Sequence, residues 1–451
     1  MKQGKKLSIV LAAGKGTRMK SRLPKGLHQV AGCSLLGHVL RASAAALDAE
    51  AAVVVGPGMD NVRAEADRWA AGASCYLQSE QKGTCDAVLA ARDAIAQAED
   101  VFVLFCDTPL LRSQTLTRMQ AALAAGAHVA VLGFEAADPS GYGRLLTADD
   151  GTLQAIREHK DASDAERTVT LCNSGVMAFR CPDLVGLLDK ITDDNANGEF
   201  YLTDIVQIAR AAGLKAMAVV GDETELLGIN DRGQLAAAEA VYQQRRRADV
   251  MRDGATLIAP ETVWFSHDTT VGRDVVIEPN VFFGPGVTIA DDVLIRANCH
   301  IEGAEIGAGA RIGPYARLRP GAKLGGDVHI GNFVEVKNVT MGDGAKANHL
   351  AYLGDGQVGD GATSGAGTIF CNYDGFFKHR TKVGTGAFVG SNSALVAPVS
   401  IGDGAFVGSG SVITKDVPDN ALALERAALT TREGWAEKFR TAMQRRKARA
   451  K

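Results

Sequence analysis

The stretch Ile306-Gly-Ala-Gly-Ala-Arg-Ile312-Gly-Pro-Tyr-Ala-Arg-Leu318 carries an aliphatic residue at every sixth position. This period is neither the 3.6-residue period of a helix nor the two-residue alternation of a strand. It is typical of a parallel β-helix, in which each hexapeptide forms one flat strand and three hexapeptides close a triangular coil. The aliphatic side chains then point inward and stack on those of the next coil. Gly and Asp-Gly allow the backbone to turn at the corners.

The six-residue repeat extends, with interruptions, over residues 271–417. Its aliphatic position is occupied by Val271, Ile277, Phe283, Ile289, Ile295, Ile301, Ile306, Ile312, Leu318, Leu324, Ile330, Val336, Val383, Val389, Leu395, Ile401, Val407 and Ile413. A β-sandwich with chance periodicity is the alternative, and so many in-phase matches disfavour it. Ser364 falls on this inward position, where a hydroxyl without a partner would weaken the core.

Length, charge and cysteine usage set outer limits on the protein. The chain has 451 residues, enough for two or three domains. A net charge of −3 with 22% charged residues predicts no broad affinity for nucleic acid. Eight cysteines without CxxC pairs predict reduced thiols in a cytoplasmic protein. Because no run approaches the ~20 apolar residues of a membrane span, we expect no membrane association and no signal peptide.

Residues 1–229 alternate apolar strands with helical stretches, which predicts an α/β domain with a parallel sheet covered on both faces. Strands are expected near residues 7–12, 51–55, 101–105 and 128–134, and helices near 35–46 and 85–97. Residues 230–252 predict a linker helix, and residues 253–451 carry the repeat and a basic tail. In that tail, Trp435 and Phe439 have helical spacing. We expect the tail to be partly ordered.

The loop Leu11-Ala-Ala-Gly14-Lys-Gly-Thr-Arg18-Met directly follows the first strand and is followed in turn by Leu23-Pro-Lys25. Small residues allow backbone N–H groups to approach a phosphate, and Arg18 and Lys25 can neutralise a triphosphate and its leaving pyrophosphate. The loop is neither a Walker A motif nor GxGxxG. A merely structural turn is the alternative, which the spacing of the two cations disfavours. Asp107 ends another apolar strand and is well placed to hold Mg²⁺.

These motifs, together with His349-Leu-Ala-Tyr352-Leu-Gly-Asp355 and Asn372-Tyr373 in the repeat half, resemble a known family. It is the family of bifunctional N-acetylglucosamine-1-phosphate uridylyltransferases and glucosamine-1-phosphate N-acetyltransferases, and the resemblance covers nearly the whole chain. It implies a Rossmann-like nucleotide-sugar pyrophosphorylase domain followed by a left-handed parallel β-helix acetyltransferase domain.

The implied chemistry has two steps. Acetyl-CoA acetylates glucosamine 1-phosphate, and UTP then uridylylates the product with Mg²⁺, which gives UDP-N-acetylglucosamine and pyrophosphate. The resemblance also implies a homotrimer formed through the β-helix. The partners expected are small-molecule substrates only.

The resemblance further assigns roles to individual residues. It implies that His349 is the general base of acetyl transfer and that Arg18 and Lys25 serve uridylyl transfer. The UTP and UDP-sugar site would contain Leu11, Ala12, Ala13, Gly14, Lys25, Gln78, Gly83, Thr84, Asp107, Gly143, Glu158, Asn173 and Asn230. Asp107 and Asn230 would be the metal ligands. Glucosamine phosphate would bind Arg319, Lys337, Tyr352, Asn372 and Tyr373, and acetyl-CoA would bind Ala366, Ser391, Ser409 and Arg426.

The residue types fit these roles, although each has a plainer interpretation. The Gln78 amide can pair with uracil, but a polar turn before a helix is also a common N-cap. Glu158 alone reads as a solvated charge. A lone histidine such as His349 is more often structural, and the two serines of the acetyl-CoA set also suit ordinary repeat positions.

Three places depart from the family's usual pattern. Cys106 stands where the family commonly has Gly, and Cys85-Asp86 stands for Gly-His. Thr363 and Ser364 replace Asn and an aliphatic residue. We therefore expect Cys106 to crowd the sugar nucleotide, Asp86 to add negative charge near the triphosphate, and uridylyl transfer to be retained but weakened. A single-activity pyrophosphorylase with a structural or regulatory β-helix, and a non-enzymatic scaffold, remain the alternatives.

Overall fold

A computed structural model describes residues 5–450 of the chain. The chain forms two compact units. One extends to Asp249 and includes Phe265–His267, and the other comprises Val250–Trp264 and the chain from Asp268 onward. Within residues 5–450, no helix is both long enough and apolar enough to cross a membrane.

The first unit is built on a mixed sheet of nine strands. Seven of them form its main path, in the order Ala216–Gly221, Val129–Glu135, Leu171–Phe179, Asp100–Phe105, Lys6–Leu11, Glu50–Val55 and Ser74–Leu77. Arg144–Thr147 and Leu153–Arg157 pair as an antiparallel hairpin beside this path.

The prediction of a parallel sheet is wrong for the hairpin and for one strand of the main path. Leu171–Phe179 runs antiparallel to both of its neighbours. The chain reaches this strand through the hairpin and the short helix Asp164–Arg167 rather than through a full crossover helix. A parallel pair needs such a crossover, whereas this connection returns the chain in the opposite direction.

Helices cover both faces of the sheet, as the sequence predicts. Along the strand Lys6–Leu11, Ile9 packs into one buried cluster and Val10 into another. The helices of this unit are Leu35–Leu47, Asp60–Trp69, Thr84–Leu89, Arg92–Ile95, Ser113–Ala124, Asp164–Arg167, Leu184–Leu188, Ile205–Ala211 and Glu223–Leu226, with 3-10 turns at Thr17–Met19, Lys25–Leu27 and Leu202–Asp204. A two-stranded ribbon pairs Gln29–Val30 with Cys33–Ser34.

Two helix predictions have different outcomes. The single helix expected near residues 85–97 is two short helices, because the backbone leaves helical geometry at Ala91 (φ −99°, ψ 24°). The long helix expected within residues 230–252 is confirmed, and it spans Arg232–Arg252.

The second unit is a parallel β-helix. Ile277 pairs with Ile295, 18 residues on, and Ile295 pairs with Ile312, 17 residues on. Three hexapeptides therefore close one coil, as the sequence predicts. The aliphatic positions of the repeat are buried, apart from the half-buried Val271 in the first coil.

The strands of the β-helix form three faces. The first contains Thr256–Leu257, Val276–Ile277, Leu294–Ile295, Arg311–Ile312, His329–Asn332, Lys346–His349, Thr363–Ser364, Phe388–Val389, Phe406–Val407 and Leu422–Ala423. The second contains Thr270–Val271, Thr288–Ile289, Ala304–Ile306, Ala322–Leu324, Thr381–Val383 and Val399–Ile401. The third contains Phe282–Phe283, His300–Ile301, Arg317–Leu318, Ile369–Cys371, Ala394–Val396 and Val412–Ile413. Glu335–Met341 and Tyr352–Val358 continue from the third face into the second.

Two further pieces complete this unit. A 3-10 turn spans Pro260–Thr262 near its beginning. In the tail, Trp435–Arg449 is a helix with no buried residue among those described, and the rings of Trp435 and Phe439 stack 5.1 Å apart. The helical spacing predicted for Trp435 and Phe439 is therefore confirmed.

Ser364 is a defect in the core of the β-helix. It lies in the inward column between Ala347 and Val389 and is 2% exposed. Within the described residues its Oγ has no hydrogen-bond partner. An enclosed hydroxyl without a partner gives up hydrogen bonds to water and receives none in return.

We predict that Ser364→Ile raises the melting temperature of the assembled protein. The substitution replaces the unpaired hydroxyl by an aliphatic side chain in the inward column, which corresponds to roughly 1–3 kcal/mol of free energy of unfolding. Ser411→Val is the matched control, because the equally buried Ser411 Oγ donates to Gly408 O at 2.6 Å. We expect the control to melt lower. An unchanged or lower melting temperature for Ser364→Ile would contradict the prediction.

Candidate active sites

The first site forms where the sheet ends. Leu11 pairs with Val54 on one side and Phe105 on the other, so the loop after Leu11 lies at the same edge as Asp107. Ala12 N donates to Val54 O at 2.8 Å, and Ala13 O accepts from Gln81 Nε2 at 2.6 Å. The space around Gly14 is open, since a Cβ there would meet no described atom within 4 Å. The loop is therefore fixed at its base and open toward a ligand.

Two cations and two oxygen ligands converge at this edge. Lys25 Nζ forms an ion pair with Asp107 and donates to Asn230 Oδ1 at 2.8 Å. Arg18 Nη2 donates to the same Asn230 oxygen at 2.9 Å. Ile229 N donates to Asp107 O at 2.9 Å, which holds the two backbone segments together. The predicted residues Arg18, Lys25, Asp107 and Asn230 thus form one cluster with an excess of positive charge.

Asp107 and Asn230 fit a magnesium ion. Both direct a side-chain oxygen at one cationic atom, Lys25 Nζ, and Mg²⁺ prefers oxygen ligands. Among residues 5–450 there is no cluster of three His, Cys, Asp or Glu side chains suited to a metal. These two oxygens match the usual pattern for Mg²⁺, in which water and substrate phosphates supply the remaining ligands.

The residues predicted to bind the base lie just after the strand Ser74–Leu77. Gln78 N donates to Val55 O at 2.9 Å, and its buried side chain donates from Nε2 to Gly83 O at 3.1 Å. Gly83 has φ +136°, and an added Cβ would lie 2.6 Å from Phe200 O, so only glycine fits there. The Thr84 hydroxyl instead accepts from Leu202 N at 3.0 Å, which ties this turn to its neighbour.

The three residues predicted to contact the sugar are also adjacent. Asn173 N donates to Gly143 O at 2.8 Å, and a Cβ at Gly143 would lie 3.3 Å from Glu158 Oε1. Burial raises the pKa of Glu158 above its ordinary value, so this carboxyl is not the solvated charge of the plainer interpretation. A cavity of about 380 Å³ opens beside Glu158 and is also lined by Asp161 and Tyr201.

The side chains at the two departures in this unit have contacts within the protein. Cys106 is 6% exposed and packs in the core, where burial raises the pKa of its thiol to about 12. A Cβ at Gly26 would lie 3.3 Å from its Sγ, and crowding of the sugar nucleotide stays a prediction. The Asp86 carboxylate is engaged within the protein, since it accepts from Gln78 Nε2 at 2.8 Å and from Lys82 N at 3.2 Å.

The second site lies on the β-helix around His349. Asn332 and His349 are paired in neighbouring coils, and His349 Nδ1 lies 2.7 Å from Asn332 Oδ1. An amide oxygen only accepts, so Nδ1 carries the proton and the lone pair is on Nε2. The exposed imidazole is thus held in the tautomer that a general base requires.

A cationic cluster borders this site. Arg319 donates to Glu335 at 2.8 Å, and Lys337 Nζ lies 3.9 Å from Asp355. Lys378 lies beside Lys337, and the proximity of that ammonium lowers the pKa of Lys378. Two like charges held together in this way favour the binding of an anion between them.

Asp355 organises the amides of the same site. It accepts from Asn338 Nδ2 at 2.7 Å and from Asn372 Nδ2 at 2.5 Å. Burial alone would raise the pKa of Asp355, but these two hydrogen bonds bring the pKa below its ordinary value. The Tyr352 hydroxyl lies 3.5 Å from Asn372 Nδ2. Tyr373 stands apart from these contacts, because it is exposed and its hydroxyl donates to Gly375 O in its own loop.

Sequence reasoning missed Asn332, Glu335, Asp355 and Lys378. The repeat contains a signal for three of them, because each lies 17 residues from a predicted site residue. Asn332 and Asp355 are hydrogen-bonded to His349 and Asn372, and Glu335 is paired in register with Tyr352. Residues one coil apart in sequence are neighbours in space. Lys378 lies in the stretch after Tyr373, where the repeat is interrupted: Gly356 pairs with Thr381, 25 residues on, so the coil spacing gives no guide.

The residues predicted to bind acetyl-CoA line one corner of the β-helix. Successive coils are joined by hydrogen bonds from Gly367 N to His349 O (3.1 Å), from Asn392 N to Ala366 O (2.7 Å) and from Gly410 N to Ser391 O (2.8 Å). Arg426 Nη1 then donates to Ser409 O at 2.8 Å. At roughly 4.8 Å per coil, this corner extends about 14 Å from His349 to Ser409. The arrangement can accommodate an elongated ligand with one end at the imidazole.

Together these features define a two-part transferase, with a nucleotide site at a sheet edge and a second site on a hexapeptide β-helix. Residues 8–173 match the model of the MobA-like NTP transferase domain family. Residues 268–303, 303–338 and 380–415 match the model of the bacterial transferase hexapeptide family (six repeats).

Known proteins match the chain over almost its whole length. Bifunctional protein GlmU of Azorhizobium caulinodans is 57% identical over 437 residues, which cover 97% of each chain. The proteins of the same name from Xanthobacter autotrophicus and a Bradyrhizobium species are 56% and 55% identical, again with 97% of each chain covered. The chain belongs to the bifunctional GlmU family.

The chain is accordingly a bifunctional enzyme of UDP-N-acetylglucosamine synthesis, with a nucleotidyltransferase and an acetyltransferase activity. It uses Mg²⁺ for uridylyl transfer, with UTP and acetyl-CoA as substrates. The fold class predicted from the sequence is confirmed, with a Rossmann-like α/β unit followed by a left-handed β-helix. The single-activity and scaffold alternatives are set aside.

Proposed function

We propose that residues 1–229 carry out uridylyl transfer, that residues 253–451 carry out acetyl transfer, and that residues 230–252 join them. One observation supports the second assignment above all. His349, with its Nδ1 hydrogen-bonded to Asn332, stands at one end of the corner formed by Ala366, Ser391 and Ser409. A β-helix that served only for oligomerisation would not need a tautomer-fixed histidine beside a cationic cluster.

In uridylyl transfer, the oxygen of the sugar 1-phosphate attacks the α-phosphorus of UTP, and pyrophosphate leaves. The loop of residues 11–14 binds UTP, with the N–H groups of Ala13 and Gly14 donating to phosphate oxygens, and Arg18 and Lys25 neutralise the charge that moves to the pyrophosphate. Mg²⁺ held by Asp107 and Asn230 would supply further neutralisation at the phosphates. Gln78 and Gly83 bind the uracil, with Thr84 supporting their turn. Gly143, Glu158 and Asn173 bind the sugar.

In acetyl transfer, the amine of glucosamine 1-phosphate attacks the thioester carbonyl of acetyl-CoA. His349 Nε2 accepts the proton of the amine as the C–N bond forms, and the C–S bond breaks to release coenzyme A. Arg319, Lys337 and Lys378 bind the sugar phosphate. Tyr352, Asn372 and Tyr373 orient the sugar and the acetyl group. Ala366, Ser391, Ser409 and Arg426 bind the elongated body of acetyl-CoA.

The experiment that tests this assignment measures the two half-reactions separately on the full-length protein. Pyrophosphate release reports uridylyl transfer, and release of the coenzyme A thiol reports acetyl transfer. The assignment requires that substitution of a catalytic residue in one unit abolishes one activity and spares the other. A substitution that removes both activities from a folded protein would contradict it.

We also propose that the protein is a homotrimer. Phe388 and Phe406 stack 4.7 Å apart on one face of the β-helix, and Leu422 continues the row in register. Ile369 and Val412 are exposed on another face. Apolar rows of this kind on a soluble unit are typical of subunit interfaces, and two faces of a triangular prism suit a three-fold assembly.

The predicted assembly state can be measured directly. Sedimentation equilibrium of the full-length protein should give three times the 47.2 kDa chain mass. Phe406→Asp should shift the protein toward monomer, because it places a charge in an apolar contact. Lys382→Asp is the control, since Lys382 is exposed on a different face of the same β-helix. A monomeric parent protein would refute the trimer.

A cytoplasmic location is part of the same proposal. All eight cysteines are free thiols. Reduced thiols are the usual state of cysteine in a reducing compartment.

A further inference from the structure

The side chain of Gln78 is held by two acceptors at the same terminal atom. Its Nε2 donates to Gly83 O at 3.1 Å and to the Asp86 carboxylate at 2.8 Å. Carbonyl and carboxylate oxygens only accept hydrogen bonds, so the terminal atom between them must be the NH₂ group. Both of its hydrogens are then engaged.

The other end of this amide is available to a ligand. Within the described part of the chain, Gln78 Oε1 accepts no hydrogen bond, and it is not among the fully enclosed polar atoms. Gly83 N likewise donates to no described acceptor. The site therefore offers one obligatory acceptor, Oε1, and one obligatory donor, the Gly83 N–H, from two residues that are already in contact.

This pattern distinguishes the two common pyrimidines. Uracil presents an acceptor at O4 beside a donor at N3–H, which complements a donor and an acceptor. Cytosine presents the opposite pair, a donor at N4 beside an acceptor at N3. With the amide fixed, cytosine would set donor against donor and acceptor against acceptor, and buried polar groups left unpaired are costly.

We propose that Asp86 is a specificity-determining residue, which acts through Gln78 by fixing the polarity of its amide so that the nucleotide site accepts uracil and rejects cytosine. The inference rests on the proposed role of Gln78 in binding the base. A carboxylate only accepts hydrogen bonds, so Asp86 pairs with the Gln78 amide in one orientation alone. The same Asp86 oxygen accepts from Lys82 N, which holds the carboxylate in place.

The test compares kcat/KM for UTP and for CTP on the full-length protein. Asp86→Ala should lower the UTP to CTP ratio at least tenfold, because the amide is then held by Gly83 O alone and can rotate. Asp86→Asn should keep the ratio within about threefold of the parent, since its Oδ1 can accept at the same point. An unchanged ratio in Asp86→Ala would overturn the proposal. An equal fall in both variants would also overturn it, because charge rather than the acceptor would then be responsible.

Two further variants separate this inference from the role of Gln78 itself. Gln78→Ala should lower the same ratio. If Gln78→Ala leaves the ratio unchanged, Gln78 does not bind the base. If Gln78→Ala lowers the ratio and Asp86→Ala does not, only the proposed role of Asp86 is wrong. Glu80→Gln is the matched control for charge, because Glu80 is an exposed carboxylate in the same turn that pairs with Lys82 and not with Gln78. Its ratio should equal that of the parent protein.

Discussion

Replacing His349 with alanine is expected to lower the turnover of acetyl transfer by roughly 10²–10⁴-fold and to leave uridylyl transfer unchanged. The loss follows from the geometry of the imidazole. Its Nδ1 is engaged by Asn332 at 2.7 Å, which leaves the Nε2 lone pair free to accept a proton from the attacking amine. Without this base the amine must lose its proton to water while the thioester is attacked. The measurement is release of the coenzyme A thiol at saturating substrates.

A second substitution tests the orientation of the base rather than its presence. Asn332→Ala keeps His349 but removes the acceptor that fixes its tautomer, so kcat should fall by a smaller factor than in His349→Ala while KM changes little. Thr363→Ala, a change on the same face of the β-helix, should be milder than either. Undiminished acetyl transfer in His349→Ala would show that another group accepts the proton. A loss of both activities from a variant that melts at the temperature of the parent protein would contradict the assignment of the two sites to separate units.

The fold could be predicted from the sequence because the hexapeptide repeat encodes position directly. In a β-helix, the residue that points inward is set by its place in the repeat, and the inward column through Ile277, Ile295 and Ile312 repeats that pattern coil by coil. The same logic identified Ser364 as a weak point. The antiparallel strand Leu171–Phe179 could not be predicted this way, since an apolar run does not reveal the direction of its strand.

The candidate sites were only partly accessible from the sequence. Lys25 and Asn230 are 205 residues apart in sequence, and no local pattern indicates that they are neighbours. Only the resemblance to a family assigned them to the same site. Contacts within the β-helix follow the coil spacing, so the spacing from His349 was enough to predict the contact with Asn332. The hydrogen bond between Gln78 and Asp86 could not be predicted, because the orientation of a side-chain amide depends on the atoms that surround it. Asp86 is therefore an internal hydrogen-bond acceptor as well as a negative charge.

Asp107→Ala is expected to reduce uridylyl transfer by about 10²–10³-fold, with acetyl transfer unaffected. Among the described residues, Asp107 supplies the only carboxylate that pairs with Lys25, whose ammonium also donates to Asn230. Its removal takes away a charged oxygen ligand of the metal. A bound metal stabilises the charge of the transition state by several kcal/mol, and each ~1.4 kcal/mol corresponds to a factor of ten in rate. The variant should also need a higher Mg²⁺ concentration for half-maximal pyrophosphate release.

The dependence on Mg²⁺ separates two roles that Asp107 can have. If the carboxylate serves only to position Lys25, then Asp107→Ala and Lys25→Ala should lose similar activity, and neither should change the Mg²⁺ requirement. If it holds the metal, only Asp107→Ala should raise that requirement, and Asp107→Asn should do so less because it keeps one oxygen. Asn230→Ala should raise the Mg²⁺ requirement less than Asp107→Ala does, since it removes a neutral oxygen rather than a charged one. The second pattern is expected, because Asp107 and Asn230 both direct an oxygen at the one position now held by the Lys25 ammonium.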